Sequence, residues 1–326
     1  MNKQILITGA TSGMGLSHAI YLSSRGYSVI GTSRQAENIN LEELKETYIQ
    51  NHTKYHYIDK AKTEVRPGKI IVSSKIHKNL DKYLEDIQYI SMDVTKTSSV
   101  TSAIQNLDNI DVLINNAGLA HFGPIETYSL EAIQDQFEVN FFGYIRVIQA
   151  VLPNMRERKK GQIINTSSLA GLTVIPFMGY YSASKAAILR LTESLKIELR
   201  PFNIRVSSLL PGDINTPGNV VTAYLYKKGK KFKTTDIKDM IDAIPLEKTS
   251  AYYNHGKVAW TTIMQNLIVS PPPIIVSKKI EKIIRAKRPK IHYKCGSKLQ
   301  TWGVNLMKRF FSENLTIRIM AMFYGL

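Results

Sequence analysis

The chain has 326 residues, 44% of them hydrophobic and 21% charged, which is enough apolar side chain for one large core and too balanced a composition for a disordered polymer. Its 43 Lys and Arg against 26 Asp and Glu leave a formal charge of +17, which favours anionic partners: a phosphorylated cofactor, an anionic membrane surface or nucleic acid. The single cysteine, Cys295, excludes an intramolecular disulfide framework and a multi-cysteine metal site, reads as a lone thiol, and is compatible with a reducing, cytoplasmic setting.

Met1-Asn2-Lys3-Gln4 leads directly into an apolar run, without the charged segment, long apolar stretch and small-residue cleavage site of a secretory leader, so the mature protein is expected to start here. No run of about eighteen apolar residues is present, and no spanning helix is expected. Ile5-Leu6-Ile7 is the first strand-like run. It opens into Thr8-Gly9-Ala10-Thr11-Ser12-Gly13-Met14-Gly15 and then the helical stretch Leu16 to Ser24. Glycines there permit a tight strand-to-helix turn and let a pyrophosphate approach the amides at a helix N-terminus.

The second strand, Tyr27 to Gly31, ends in Thr32-Ser33-Arg34. A carboxylate at that point would hold a ribose 2′-hydroxyl and repel a 2′-phosphate, whereas Ser33 and Arg34 offer a donor and a cation, which favours NADP(H) over NAD(H). From about Ile49 to Asp86 a Lys-, His- and Tyr-rich piece interrupts the rhythm, and Arg66-Pro67-Gly68 is expected to turn between two strands of a small excursion.

Further strands follow at Ile87 to Met92, Ile110 to Ile114, Gln162 to Asn165 and Ile204 to Leu210, with amphipathic stretches between them. This repeated βα alternation predicts a doubly wound parallel sheet of about seven strands with helices on both faces, its chemistry in the loops after the strands. One main unit is expected over residues 1–296, with the insertion near 49–86 and a long, basic, aromatic stretch near 213–270, followed by a helical extension at 297–326.

Tyr181-Ser182-Ala183-Ser184-Lys185 sets a phenol and an ammonium four residues apart on one face of a helix predicted to run to Arg200. A phenol titrates near 10, and a neighbouring cation favours the phenolate, so Lys185 can make Tyr181 an acid and base. Tyr180 is a second phenol without that offset.

The spacing Gly-x-x-x-Gly-x-Gly after Thr8, with Asn115-Asn116-Ala117-Gly118, Ser168 thirteen residues before Tyr181, and Tyr-x-x-x-Lys, resembles the short-chain dehydrogenase/reductase family over about two thirds of the chain. The resemblance implies a Rossmann-type fold and a nicotinamide cofactor held by Thr8, Gly9, Thr11, Ser12, Gly13, Met14 and Gly15. It further implies that Asp93 and Val94 meet the adenine, that Asn116, Ala117 and Gly118 line the adenosine side, and that Pro211, Gly212 and Thr216 lie beside the nicotinamide. It assigns Asn140, Ser168, Tyr181 and Lys185 to catalysis: Asn140 to hold a water next to Lys185, and Ser168, rather than Ser167, to hold the substrate oxygen. The family's basic position inside the glycine turn is taken by Ser12, so one of its two common phosphate clamps is missing.

Beyond Pro211-Gly212, Tyr224, Tyr226, Phe232, Tyr252, Tyr253 and Trp260 are candidates for core or substrate contact, and Lys227-Lys228-Gly229-Lys230-Lys231 reads as a solvated loop. Pro271-Pro272-Pro273 opens a helix to Ala286, and a last strand is expected within Lys287 to Tyr293. Trp302, Leu306 and Phe310, then Leu315, Ile319 and Phe323, recur at four-residue spacing among Lys308, Arg309 and Arg318. Such an amphipathic stripe packs over the pocket or a partner subunit, or lies on an anionic membrane. Retinol- and hydroxysteroid-dehydrogenase-like and 3-ketosphinganine-reductase-like members have a similar extension, which implies a hydrophobic ketone, aldehyde or alcohol as substrate and a homo-oligomer. A catalytically silent protein that senses NADP(H) is the alternative on the same fold. The scattered basic residues match no nucleic-acid-binding motif, and the seven histidines lack metal-ligand spacing, so neither specific nucleic acid nor a catalytic metal is expected.

Overall fold

In the computed structural model, residues 3–59, 64–107, 109–216 and 241–326 are described. The predicted alternation is realised in chain order. β1 (Gln4–Ile7) leads into α1 (Gly13–Ser24), β2 (Ser28–Ser33) and α2 (Leu41–His52). A hairpin of β3 (Thr53–Asp59) and β4 (Glu64–Ile70) follows, and then the short helices α3 (Ser74–Lys78) and α4 (Leu80–Glu85). β5 (Gln88–Ser91), α5 (Thr97–Gln105) and β6 (Val112–Asn115) come next. α6 (Leu130–Phe137) runs through a π-helical turn (Glu138–Phe142) into α7 (Gly143–Glu157), before β7 (Gly161–Thr166), α8 (Gly179–Glu198) and β8 (Ile204–Pro211). α9 (Tyr253–Val269), α10 (Ile274–Arg285), β9 (His292–Cys295), α11 (Lys298–Phe310) and α12 (Glu313–Phe323) complete the described chain.

The main sheet has the order β5-β2-β1-β6-β7-β8-β9 with all neighbours parallel. The two-residue period of a strand explains its two cores. Ile5 and Ile7 join Ile114, Ile164 and Leu209 beneath α1 and α10, whereas Leu6 joins Ile30, Leu113, Ile163 and Val206 beneath α5 and α7. Because the order reverses on either side of β1, the loops after β1 and β6 diverge and leave a crevice at the carboxyl ends of the strands.

Two expectations need correction. Arg66-Pro67-Gly68 is not the turn of the excursion: these residues stand inside β4, with Pro67 opposite Tyr55 and Arg66 opposite His56. A two-stranded ribbon tolerates proline because each of its strands keeps an unpaired edge. The ribbon does reach the side of the sheet at the carboxyl ends of the strands, where Asn215 Nδ2 donates to Thr53 O at 3.0 Å.

The second correction concerns the extension. It is two helices, parted at Phe311 and Ser312, and the stripe read from the sequence is not the packed face. Val304 and Met307 pack α11 against Leu169, Leu189 and Leu210, and Met320 and Tyr324 pack the end of the chain into a cluster with Trp260 and Met264. Trp302 and Phe310 are instead 63% and 65% exposed. Four-residue spacing identifies a helical face but does not say which of two apolar faces meets the core. Tyr224, Tyr226, Phe232 and the Lys227–Lys231 run lie outside the described residues.

Candidate active site

A cleft of about 560 Å³ opens over the carboxyl ends of β1, β2, β5 and β6. The glycine turn forms one end of it. Gly9 and Gly13 have φ of +66° and +49°, values that side chains disfavour, and a Cβ on Gly15 would stand 2.0 Å from Gly9 O. The turn is clamped to the next loop: Thr8 Oγ1 accepts from the amides of Asn116 (2.8 Å) and Ala117 (2.9 Å), while Asn116 Nδ2 donates to Thr8 O (3.1 Å) and Gly9 O (3.3 Å). Backbone is thus left bare at the first turn of α1, whose amides have no helical carbonyl to bond, and this fits a pyrophosphate.

Of the residues expected at a cofactor, Gly9, Thr11, Ser12, Met14, Ser33, Arg34, Asp93, Val94, Asn116, Ala117, Gly118 and Thr216 line the cleft, and so do Tyr181 and Lys185. Thr8, Gly13 and Gly15 shape the turn from behind the wall. Asp93 is held in place by its own loop, its carboxylate accepting from Thr95 N (3.0 Å) and Thr95 Oγ1 (2.8 Å). Pro211 and Gly212 stand off the wall: Gly212 N donates to Cys295 O at 2.7 Å and so joins β8 to β9. Sequence reasoning missed Thr32, Met92, Thr95, Leu119, Ala120, Val139, Thr166 and Ser167 on the same wall. Thr32, Met92 and Thr166 sit at or just beyond strand ends, where position alone could have suggested them; Val139, in the π turn, left no signal.

At the inner end α8 presents Tyr181 and Lys185. Lys185 is 4% exposed, and its ammonium donates to Thr166 O at 3.1 Å and lies 5.7 Å from the Tyr181 ring centroid and 5.6 Å from that of Tyr144. Burial lowers Lys185 to about 8. For Tyr181, burial raises the phenol above its ordinary value of 10.0, the Ser168 hydroxyl bonded to it works against this, and the charge of Asp213 adds to the rise. The protein alone therefore holds Tyr181 as a protonated acid. Lys185 is expected from the sequence as a cation that favours the phenolate; in the folded protein burial is the largest influence on Tyr181.

Neighbouring side chains separate the candidates. Ser167 Oγ is committed to Lys185 O at 2.7 Å, while Ser168, which donates to Pro211 O at 3.3 Å, keeps its contact with Tyr181. Tyr180 instead donates to Ile125 O at 3.3 Å and packs edge-on against Tyr128. Asn140, buried in the π turn, brackets Leu119: Oδ1 accepts from its amide and Nδ2 donates to its carbonyl, both at 2.9 Å, with a further bond from Nδ2 to Ser184 Oγ at 3.1 Å. Asn140 Oδ1 and Lys185 Nζ thus share the surroundings of Gly118. Tyr181 also packs against a buried apolar cluster that includes Phe122, Met178, Trp260, Met264 and Tyr324.

Comparison with known proteins identifies the family. The sequence profile of the short chain dehydrogenases matches residues 69–223, beginning inside β4 and so after the glycine turn. Retinol dehydrogenase 8 of Bos taurus is 30% identical over 293 residues, 88% of this chain and 79% of its own length. The chain belongs to the short-chain dehydrogenase/reductase family. A 3-ketodihydrosphingosine reductase of Bacteroides thetaiotaomicron is 36% identical over 217 residues, covering 65% of this chain and 64% of that protein. Among solved structures, a short chain dehydrogenase of Burkholderia cenocepacia in complex with NADP superposes with a TM-score of 0.62 over 97% of each chain at 22% identity, a likeness of fold. As a family member the chain is an oxidoreductase acting on CH–OH groups.

Proposed function

We propose that this short-chain dehydrogenase/reductase interconverts hydrophobic ketones or aldehydes and their alcohols with NADP(H), using Tyr181 as general acid and base. The observation that carries the reading is the placement of Tyr181, which is bonded to the Ser168 hydroxyl, and Lys185 at the inner end of one cleft, with the glycine turn and Arg34 at its other end. A bound nicotinamide dinucleotide supplies or takes up the hydride. In reduction Tyr181 gives its phenolic proton to the carbonyl oxygen, and the Ser168 hydroxyl donates to the same oxygen as charge develops there. Lys185 beside the ring stabilises the phenolate left behind, and Asn140 holds Gly118 and Leu119 in register with it.

Selectivity for the 2′-phosphate rests on Ser33 and Arg34 at the end of β2. Titration by nicotinamide fluorescence is expected to show NADPH bound at least about tenfold more tightly than NADH, and Arg34→Ala to remove most of that margin. An equal or greater affinity for NADH would overturn the preference. Oxidation of the bound NADPH by a panel of long-chain and polycyclic carbonyls tests the substrate class; turnover confined to small polar substrates such as sugars would end it.

The same reading places the enzyme in the cytoplasm, against an anionic membrane. Leu299, Trp302, Phe310, Leu315, Ile317, Met322 and Phe323 are exposed on α11 and α12, whose charged residues are Lys298, Lys308, Arg309, Arg318 and a single acid, Glu313. Apolar surface among cations suits an anionic interface, and among the described residues no helix is long and apolar enough to cross a membrane. Trp260 is 1% exposed, so Trp302 is the tryptophan able to report contact. Its emission should shift to shorter wavelength with phosphatidylserine vesicles and stay unchanged with neutral ones. A homo-oligomer is also part of this reading; light scattering at a single chain's mass would remove it.

A further inference from the structure

The loop that leaves β8 sends three consecutive side chains in three directions. Ile214 is buried in the core beneath α1 and α10, and Thr216 lines the cleft that holds Tyr181 and Lys185. Asn215 between them is 2% exposed and reaches the insertion, where its Nδ2 donates to Thr53 O at 3.0 Å and to Asn51 O at 3.4 Å. Carbonyls can only accept, so a side-chain donor is what this junction requires. The backbone of the loop is fixed as well, with Asn215 N donating to Pro271 O at 3.0 Å and Thr216 N to Ile214 O at 2.6 Å.

Asn51 and Thr53 flank His52, where α2 ends and β3 begins. His52 joins the same point to α1: its Nδ1 donates to Tyr48 O at 2.7 Å and its Nε2 accepts at 3.2 Å from Ser17 Oγ, and Ser17 follows Gly15 and Leu16 in that helix. His52 O accepts from Ile71 N at 2.7 Å, which closes the base of the ribbon. One short segment at the start of the insertion therefore fastens two parts of the cleft, α1 with its pyrophosphate-sized first turn and the loop of Thr216. The β3–β4 ribbon forms a sheet of its own, so these side chains, and not strand pairing, connect it to the loop after β8.

We propose that Asn215 is a positioning residue for the nicotinamide half of the cofactor: it fastens the loop after β8 to the insertion, so that Thr216 is held at the cleft. The proposal rests on the reading of this cleft as a nicotinamide dinucleotide site with Thr216 on its nicotinamide side. A loose loop has to be ordered again at every binding event, whereas the two bonds to the insertion order it during folding. Apparent affinity falls with the population of the binding-competent arrangement, so a loop in place only about a tenth of the time binds about tenfold more weakly. The adenosine half does not depend on this junction, because Ser33, Arg34, Asp93 and Val94 stand at and beyond the ends of β2 and β5.

The test titrates the full chain with NADPH and with adenosine 2′,5′-bisphosphate, which carries the adenosine half and no nicotinamide. Asn215→Leu keeps most of the bulk of the side chain and removes its donor. It should weaken NADPH about tenfold while the bisphosphate stays within about twofold of wild type. The emission of bound NADPH, which reports the surroundings of the nicotinamide ring, should move toward that of NADPH in water. Should Asn215→Leu fail to fold, hydrogen exchange in the wild type decides: NADPH should slow exchange across residues 50–54 beyond the level reached with the bisphosphate. Unchanged NADPH affinity and emission in the variant, an equal loss for both ligands, or equal protection of residues 50–54 by the two ligands in wild type would each overturn the proposal. Binding of neither ligand by wild type would instead remove the cofactor reading, and the positioning role with it.

Discussion

Tyr181→Phe is expected to lower turnover by roughly 10²–10⁴, the usual contribution of a positioned acid or base, while NADPH affinity stays within a few-fold. The substitution removes one oxygen and keeps the ring in the cluster with Trp260 and Met264, so packing is conserved and the proton is lost. Ser168 and Lys185 remain in place, because Ser168 is also held by the Ala170 amide at 3.1 Å and Lys185 by Thr166 O at 3.1 Å. Steady-state turnover with a hydrophobic ketone, set beside a fluorescence titration with NADPH, separates the two effects. Retained activity would show that another group supplies the proton, and loss of both activity and binding would show that the ring shapes the cofactor cleft.

Acid should begin to destabilise the protein above the pH at which ordinary carboxylates are protonated, and the cause lies far from the cleft. His18 and His52 are both fully buried where α1, α2 and α10 meet. The carbonyl of Tyr48 can only accept, so His52 Nδ1 donates to it at 2.7 Å, and His52 Nε2 accepts from Ser17 Oγ at 3.2 Å. Ser277 then donates to Ser17 at 2.9 Å and His18 Nδ1 donates to Ser277 at 2.9 Å, which leaves His18 Nε2 a buried acceptor with no hydrogen-bond partner. Both rings are neutral in this chain of bonds. Burial holds His18 down at about 3 and His52 at about 4, against 6.5 unfolded.

With folded values depressed, the unfolded chain binds more protons below pH 6.5, so stability is full above that pH and declines as pH falls toward 4. Between pH 7 and pH 5 the two histidines together should remove roughly 3–4 kcal/mol from the unfolding free energy. Asp111 and Glu281 are held below their ordinary values by cationic neighbours and, for Glu281, by Tyr21 as well, so their losses fall at lower pH, outside this window. Urea denaturation at the two pH values measures the difference; equal midpoints and slopes would refute the assignment.

The fold and the pairing of Tyr181 with Lys185 on one helix face were legible in the sequence because their signals are local. A strand buried on both faces reads as an unbroken apolar run, as in Ile5-Leu6-Ile7, a tight turn against backbone requires Gly9 and Gly15, and a four-residue helical offset puts Tyr181 and Lys185 on one face. What those signals lack is any measure of distance between segments. That Ser168 rather than Ser167 faces the phenol follows from Ser167 being taken by the Lys185 carbonyl, and that burial governs Tyr181 follows from helices more than seventy residues further on. Tertiary packing likewise decided which face of the C-terminal helices meets the core, brought Gln300 to Asp213 across 87 positions, and buried two histidines among three helices. Strand, turn and helix preferences belong to neighbours in the chain, whereas desolvation and side-chain pairing are set by whatever the fold brings within a few ångströms, and only the folded chain contains that information.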